Sequence, residues 1–326
     1  MKLDITQHPD FPFRAESTAK EERWLAQFLD APTDQASAEL LREFVAQVHS
    51  YAFLERLIQG DVLYELPVHP GLIHASGDPS DDARVENLAA HELEAFDFHD
   101  YPASELDAEL VEMGIKVLHV KEQLGPELVG AFFFEGELGP ALLIGDEAES
   151  EAAAFVLAHE LAHLVIDINP YRSRFCRWDR STLANRSQSP EESRADRFAR
   201  ALLLPPRMLG ERLKEMGGEF RLDVLTALFG VPEVLIATRL RELGQRVPDA
   251  GGAPTRHRAS GEASDAPGSR LVRPDRFVNL ASAAWVQRLI DHPLLARFLG
   301  VPEVEAQALL EWMGVERRPP RDETIN

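Results

Sequence analysis

The chain has 326 residues and a formal net charge of −21, with 34 Lys and Arg against 55 Asp and Glu. That length allows one sizeable core with satellites or two domains, and so acidic a balance argues against general affinity for nucleic acid. A single cysteine excludes an internal disulfide framework, no stretch approaches the length of a membrane span, and the first residues lack an apolar signal core, so a soluble cytoplasmic protein is expected.

Residues 17–58 read as two helices broken near Pro32. The second carries an apolar stripe of Leu40, Leu41, Phe44, Val45, Val48 and Tyr51. Residues 59–82 read as irregular, closing in the Asp-rich loop from Gly77 to Asp82. A second region opens near Ala83. It contains an expected helix at 104–113 with Gly114 as its stop, then a strand at 115–120. Two more strands, 128–135 and 141–145, flank a hairpin turn at 136–140. The 128–135 strand is expected to supply the free sheet edge on which an extended peptide could lie.

Residues 155–166 read as one helix of good helix formers, with Pro170 just beyond its end. The helix contains His159-Glu160-Leu161-Ala162-His163, an H-E-x-x-H motif. Residues four apart lie one turn apart on one face, so His159 and His163 can direct two imidazoles at a single zinc ion. Glu160 then sits beside the metal, placed to act as general base toward the attacking water. The apolar flanks bury both histidines, where a metal would satisfy groups that are costly to leave unpaired. His91-Glu92 also begins H-E, but Ala95 follows where a second ligand would stand.

A hydrolytic zinc takes three protein ligands and keeps one open position. Residues 189–205 open as a helix, with Ser189 as N-cap, Pro190 at the first position and acids in the first turn. Its apolar face is Ala195, Phe198, Ala199, Leu202 and Leu203. Glu192 points toward that face, with Asp196 one turn further on. Glu192 as third ligand and Asp196 orienting a histidine form a coherent set. The plainer role for Glu192 is the glutamate of a capping box, and Glu191 is the alternative ligand.

H-E-x-x-H followed by Glu192-Ser-Arg-Ala195-Asp196-Arg-Phe198-Ala199-Arg-Ala-Leu202-Leu203-Leu-Pro205 resembles the ImmA/IrrE family of metallopeptidases, over roughly residues 84–245. The resemblance implies an α+β, zincin-like core with helical extensions. It also implies zinc and limited proteolysis of a partner, usually a helix-turn-helix repressor, in stress or anti-phage responses. Tyr171 and the arginines after it are candidates by position for stabilising the oxyanion.

Ten arginines lie between Arg172 and Arg212, an island that reads either as a solvated face or as a dock for an acidic partner or single-stranded nucleic acid. Cys176 lies in this island, in a segment read as the loop joining the two ligand-bearing helices. Neighbouring arginines favour its thiolate. Some members of the resembled family are held inactive by a cysteine on zinc, so Cys176 is a candidate inhibitory fourth ligand; the alternative is a small packed apolar residue.

Residues 246–273 read as a linker without apolar periodicity, and residues 274 to about 316 as helical again. Gly230-Val-Pro-Glu-Val234 recurs as Gly300-Val-Pro-Glu-Val304, and the same offset carries Gly244 onto Gly314. Both units read as helix, turn, helix. The scheme is thus an N-terminal helical region (1–82), a metallopeptidase domain (83–245), the linker, and a C-terminal helical region (274–326). The expected function is zinc-dependent endopeptidase of a regulatory partner. The rival is a non-catalytic zinc-containing regulator that binds a repressor, toxin or nucleic acid.

Overall fold

The structure, a computed structural model, describes residues 5–8, 10–26, 35–60, 79–96, 98, 101–120, 130–145, 152–167, 174–179, 190–217, 220–247 and 270–315. The two N-terminal helices are α1 (Ala15–Leu25) and α2 (Gln35–Gln59). Next come α3 (Pro79–Ala95) and α4 (Pro102–Glu112), then β1 (Lys116–Val120), β2 (Gly130–Glu135) and β3 (Gly139–Ile144). The motif helix is α5 (Ala153–Ala162), followed by a π-helical turn at His163–Asp167, strand β4 (Arg174–Asp179) and helix α6 (Pro190–Leu203). Helices α7 (Pro206–Glu215), α8 (Leu222–Phe229) and α9 (Glu233–Glu242) lead to strand β5 (Leu271–Val272). The last described helices are α10 (Asp275–Val286), α11 (His292–Leu299) and α12 (Glu303–Trp312). Among the described residues, no helix is long and apolar enough to cross a membrane.

One mixed sheet, in the order β4-β2-β3-β1-β5, organises the molecule. β2 and β3 form the expected antiparallel hairpin, closing with Glu135 opposite Gly139. β1 runs parallel to β3, with Lys116 opposite Ala141. Side chains alternate across the pleat. Val117, Phe132, Leu142 and Ile144 face a core shared with α5 and α6, whereas Leu118, Val120, Ala131, Phe133 and Leu143 face α2. Burial on both faces explains why these strands read as continuous apolar runs. This α+β core, with helices added at both ends, is the expected zincin-like architecture.

The α2 stripe packs on the sheet as its periodicity predicts, with Leu40, Leu41, Phe44, Val45 and Val48 buried. The far end of α2 joins a third core, where Tyr51, Phe53 and Leu54 meet Phe277, Leu295 and Phe298 of the C-terminal helices. A buried ion pair ties these layers together: Lys116 Nζ of β1 lies 2.8 Å from Glu55 of α2, and Arg276 of α10 reaches the same carboxylate at 2.8 Å. Burial pushes the Lys116 ammonium down to about 8, against the pull of Glu55.

Three expectations change. Residues 79–82 are helical, not loop, because α3 starts at Pro79, and residues 61–78 lie outside the described set. Leu271–Val272, read as the end of the linker, pair antiparallel with β1; residues 248–269 lie outside the described set. The 128–135 strand has no free edge, because β4 pairs along β2 from Gly130–Asp179 to Glu135–Arg174. The segment read as a loop through Cys176 is therefore a strand, and it forms the outer edge of the sheet on that side.

Candidate metal centre

Helix α5 is buried along its length from Phe155 to Ala162. It lays His159 and His163 against α6, where Glu192 is buried as its position on the apolar face predicts. His159 Nε2 lies 3.2 Å from His163 Nε2 and 3.2 Å from Glu192 Oε2, and Glu192 Oε1 lies 3.7 Å from His163 Nε2. These three residues form the metal-competent group found among the described residues. A tetrahedral zinc with ligands at about 2.0–2.1 Å has ligand–ligand edges of about 3.3 Å, so the spacing fits such an ion.

The outer nitrogen of each imidazole faces a carboxylate. Asp196 Oδ1 lies 3.0 Å from His159 Nδ1, and Asp167 Oδ2 lies 2.5 Å from His163 Nδ1. An ionised carboxylate can only accept, so each Nδ1 donates, and in the neutral imidazole Nε2 keeps its lone pair toward the common point. Asp196, on α6, is thus the carboxylate that meets His159. Asp167 escaped the sequence reading, although its place one turn after His163 was a usable signal. The π-helical turn carries it, and Arg194 Nη2 holds it from α6 at 3.2 Å. Phe132 of β2 stacks on the other side of His163, with ring centroids 5.4 Å apart. Glu191, the alternative ligand, lies outside this group, 4.0 Å from Arg194.

Charge in the cluster follows from this packing. Burial disfavours a protonated His163, yet Asp167 and Glu192 outweigh it and raise the imidazole to about 9. Burial would lift Glu192, but the two histidines hold its carboxyl far below the usual range. The pocket is built to stabilise positive charge, and a divalent cation competes with protons for the same nitrogens.

Loss of the outer carboxylate should therefore loosen the metal. We expect Asp167→Asn to weaken zinc binding by about 10- to 100-fold, read by competition with a chromogenic chelator. Unchanged affinity would show that Asp167 does not orient His163.

Glu160 is buried on the same helix, and its carboxyl lies against Gly130 of β2. A Cβ at residue 130 would stand 2.5 Å from Glu160 Oε1 and 3.0 Å from its Cδ. Glycine is thus what lets the strand approach the glutamate so closely. Gly130→Ala should swing that carboxyl aside and cost about 10- to 100-fold in turnover, with metal content and melting temperature nearly unchanged. A variant with full turnover would show that Glu160 needs no such placement.

Cys176 sits in β4 opposite Phe133 in the backbone register, and its side chain lies outside the described set. Tyr171, Arg172, Arg180, Arg186 and Ser189 also lie outside it. Arg174 and Arg177 are described in backbone alone. The arginine island resolves in part into internal pairs. Arg194 meets Asp167, Arg197 meets Asp82 and Glu86, and Arg200 meets Glu242.

A small mixed sheet, a buried helix bearing H-E-x-x-H and a second helix closing the donor set give a zincin-like layout with a candidate metal centre. Residues 110–241 match the Peptidase M78 family model, described as the IrrE N-terminal-like domain. The match spans less than half of the chain, and over these residues the chain is similar to the ImmA/IrrE metallopeptidases. A comparison with curated proteins returned no match.

Proposed function

We propose that this protein is a zinc-dependent endopeptidase that makes a limited cut in a regulatory partner. The partner class we favour is a helix-turn-helix repressor of a stress or anti-phage response, as the family resemblance suggests. The observation that carries the peptidase reading is the convergence of His159, His163 and Glu192 on one point, with Glu160 on the same helix.

His159, His163 and Glu192 would hold the zinc, whose two-imidazole, one-carboxylate donor set is that of a hydrolytic site. A bound zinc supplies Lewis acidity toward a peptide carbonyl and lowers the pKa of water. Asp196 and Asp167 fix the two imidazoles so that their lone pairs meet. Glu160 takes the proton of the attacking water and returns it to the departing amide nitrogen. Phe132 against His163 and Phe155 against His159 would limit bulk water there and strengthen each of these interactions. Cys176 on β4 remains our candidate for an inhibitory thiolate, and single-stranded nucleic acid at the arginine island our candidate for the activating signal.

The test is co-expression with whatever helix-turn-helix protein is encoded beside this chain, followed by intact-mass analysis. Two fragments summing to the partner plus one water, absent when the chain co-expressed carries Glu160→Gln, are expected. A partner that stays whole in the presence of zinc and of single-stranded nucleic acid rejects the repressor-cleavage reading.

A further inference from the structure

The two helix-turn-helix units are built alike but used differently. In each, a left-handed glycine ends the first helix, Gly230 at φ 66° and Gly300 at φ 61°, and proline caps the second. In the first unit the end of α9 is fastened to the core, where Glu242 Oε1 lies 2.8 Å from Arg200 of α6. The offset that superposes the repeats carries Glu242 onto Trp312. Trp312 is 84% exposed. Val304, two turns before it on the same face, is 81% exposed, and Ala308 between them is exposed too. Residues at i, i+4 and i+8 form one stripe. The second unit thus presents an indole to solvent where the first unit pairs with a helix, and its Val304 is more exposed than the equivalent Val234, 81% against 50%.

Acids rim this stripe. Glu311, seven residues after Val304, lies beside it, and Glu305, seven residues before Trp312, lies beside the indole. Glu303 and Glu305 occupy the first turn, and α12 carries no Lys or Arg. Glu305 and Glu311 disfavour pairing α12 with a second copy of itself, because like charges would face one another. The residues after α12 contain Pro319 and Pro320, which suit them poorly to lie along the stripe as a helix.

We propose that the Val304–Ala308–Trp312 face of α12 is a docking surface for an amphipathic helix of a separate protein, apolar on one face and flanked by lysine or arginine. Trp312 is the anchor, since a large rigid indole contributes most when a partner covers it. The glutamates select for basic flanks and speed the encounter. The inference does not rest on the peptidase reading.

The experiment uses the full chain carrying Glu160→Gln, so that hydrolysis cannot consume the probe. The probe is a dye-labelled helical peptide of leucine and lysine at amphipathic spacing, with a control in which glutamate replaces lysine, read by fluorescence anisotropy. The lysine peptide should bind. Trp312→Ala and Val304→Ser should each weaken it by about tenfold or more, the loss expected for truncating an interface anchor. Both positions face solvent, so neither substitution threatens the fold. Equal binding of the two peptides, or affinity indifferent to both substitutions, overturns the proposal. Self-association in sedimentation that Trp312→Ala abolishes assigns the face to a second copy instead. Peptide binding that appears only after deletion of residues 316–326 assigns it to the chain's own tail.

Discussion

On the proposed mechanism, Glu160→Gln should remove peptide hydrolysis while leaving zinc content and fold in place. The amide is nearly the size of the carboxylate, so the contact with Gly130 persists and the α5 backbone need not move. Glutamine cannot accept the proton of the attacking water, nor can it return one to the leaving nitrogen. Both halves of the proton transfer fail together, and the loss should reach about 10²- to 10⁴-fold in kcat. KM should change little, because Glu160 contributes to the transition state more than to binding. A Glu160→Gln enzyme that cleaves at the rate of the parent would exclude Glu160 as the base.

The second large effect concerns stability. Arg239 is fully buried on α9 and ties α9 to α3 and to the end of α6. Its two terminal nitrogens grip Glu86 at 2.6 and 2.7 Å, and its Nε donates to the Leu204 carbonyl at 3.2 Å. Burial opposes a charged Arg239, but Glu86 and Glu242 outweigh it and raise the guanidinium. Removal of one partner from such a pair usually costs about 3–5 kcal/mol. Glu86 is partly exposed and retains Arg197, so we expect a smaller loss for Arg239→Ala, about 2–4 kcal/mol, with a fall in melting temperature of roughly 5–10 °C. Arg239→Lys should recover only a fraction, because an ammonium cannot form the paired hydrogen bonds. A melting temperature within a degree of the parent would show that the network does not hold α9 in place.

The grouping of His159, His163 and Glu192 was legible because its signals are local. H-E-x-x-H specifies one helix face, and Glu192 with Asp196 follow from the apolar period of α6. The α4 stop at Gly114 and the β2–β3 hairpin are read in the same way, from turn residues and alternation. Helix α3 was missed for a physical reason. Its inward positions are Val85, Leu88, Ala89 and Glu92, and an alanine and a buried acid blunt the apolar period. The π-helical turn was invisible because Leu164, Val165 and Ile166 are all buried, so the run carries no phase. Asp167 became a partner of His163 only through that turn. Strands β4 and β5 are decided by pairing with distant segments, β2 and β1, which no local pattern announces. Arginines that looked like a basic surface are in part internal, because their acids come from α3, α9 and the π-helical turn.

The most direct measurement is anomalous scattering at the zinc edge from crystals of the purified chain, paired with elemental analysis. About one zinc per chain is expected, with a single peak about 2.0–2.2 Å from Nε2 of His159, Nε2 of His163 and a carboxylate oxygen of Glu192. A chain that binds zinc at full stoichiometry with its peak away from these three residues, or that takes up no metal at all, contradicts the account.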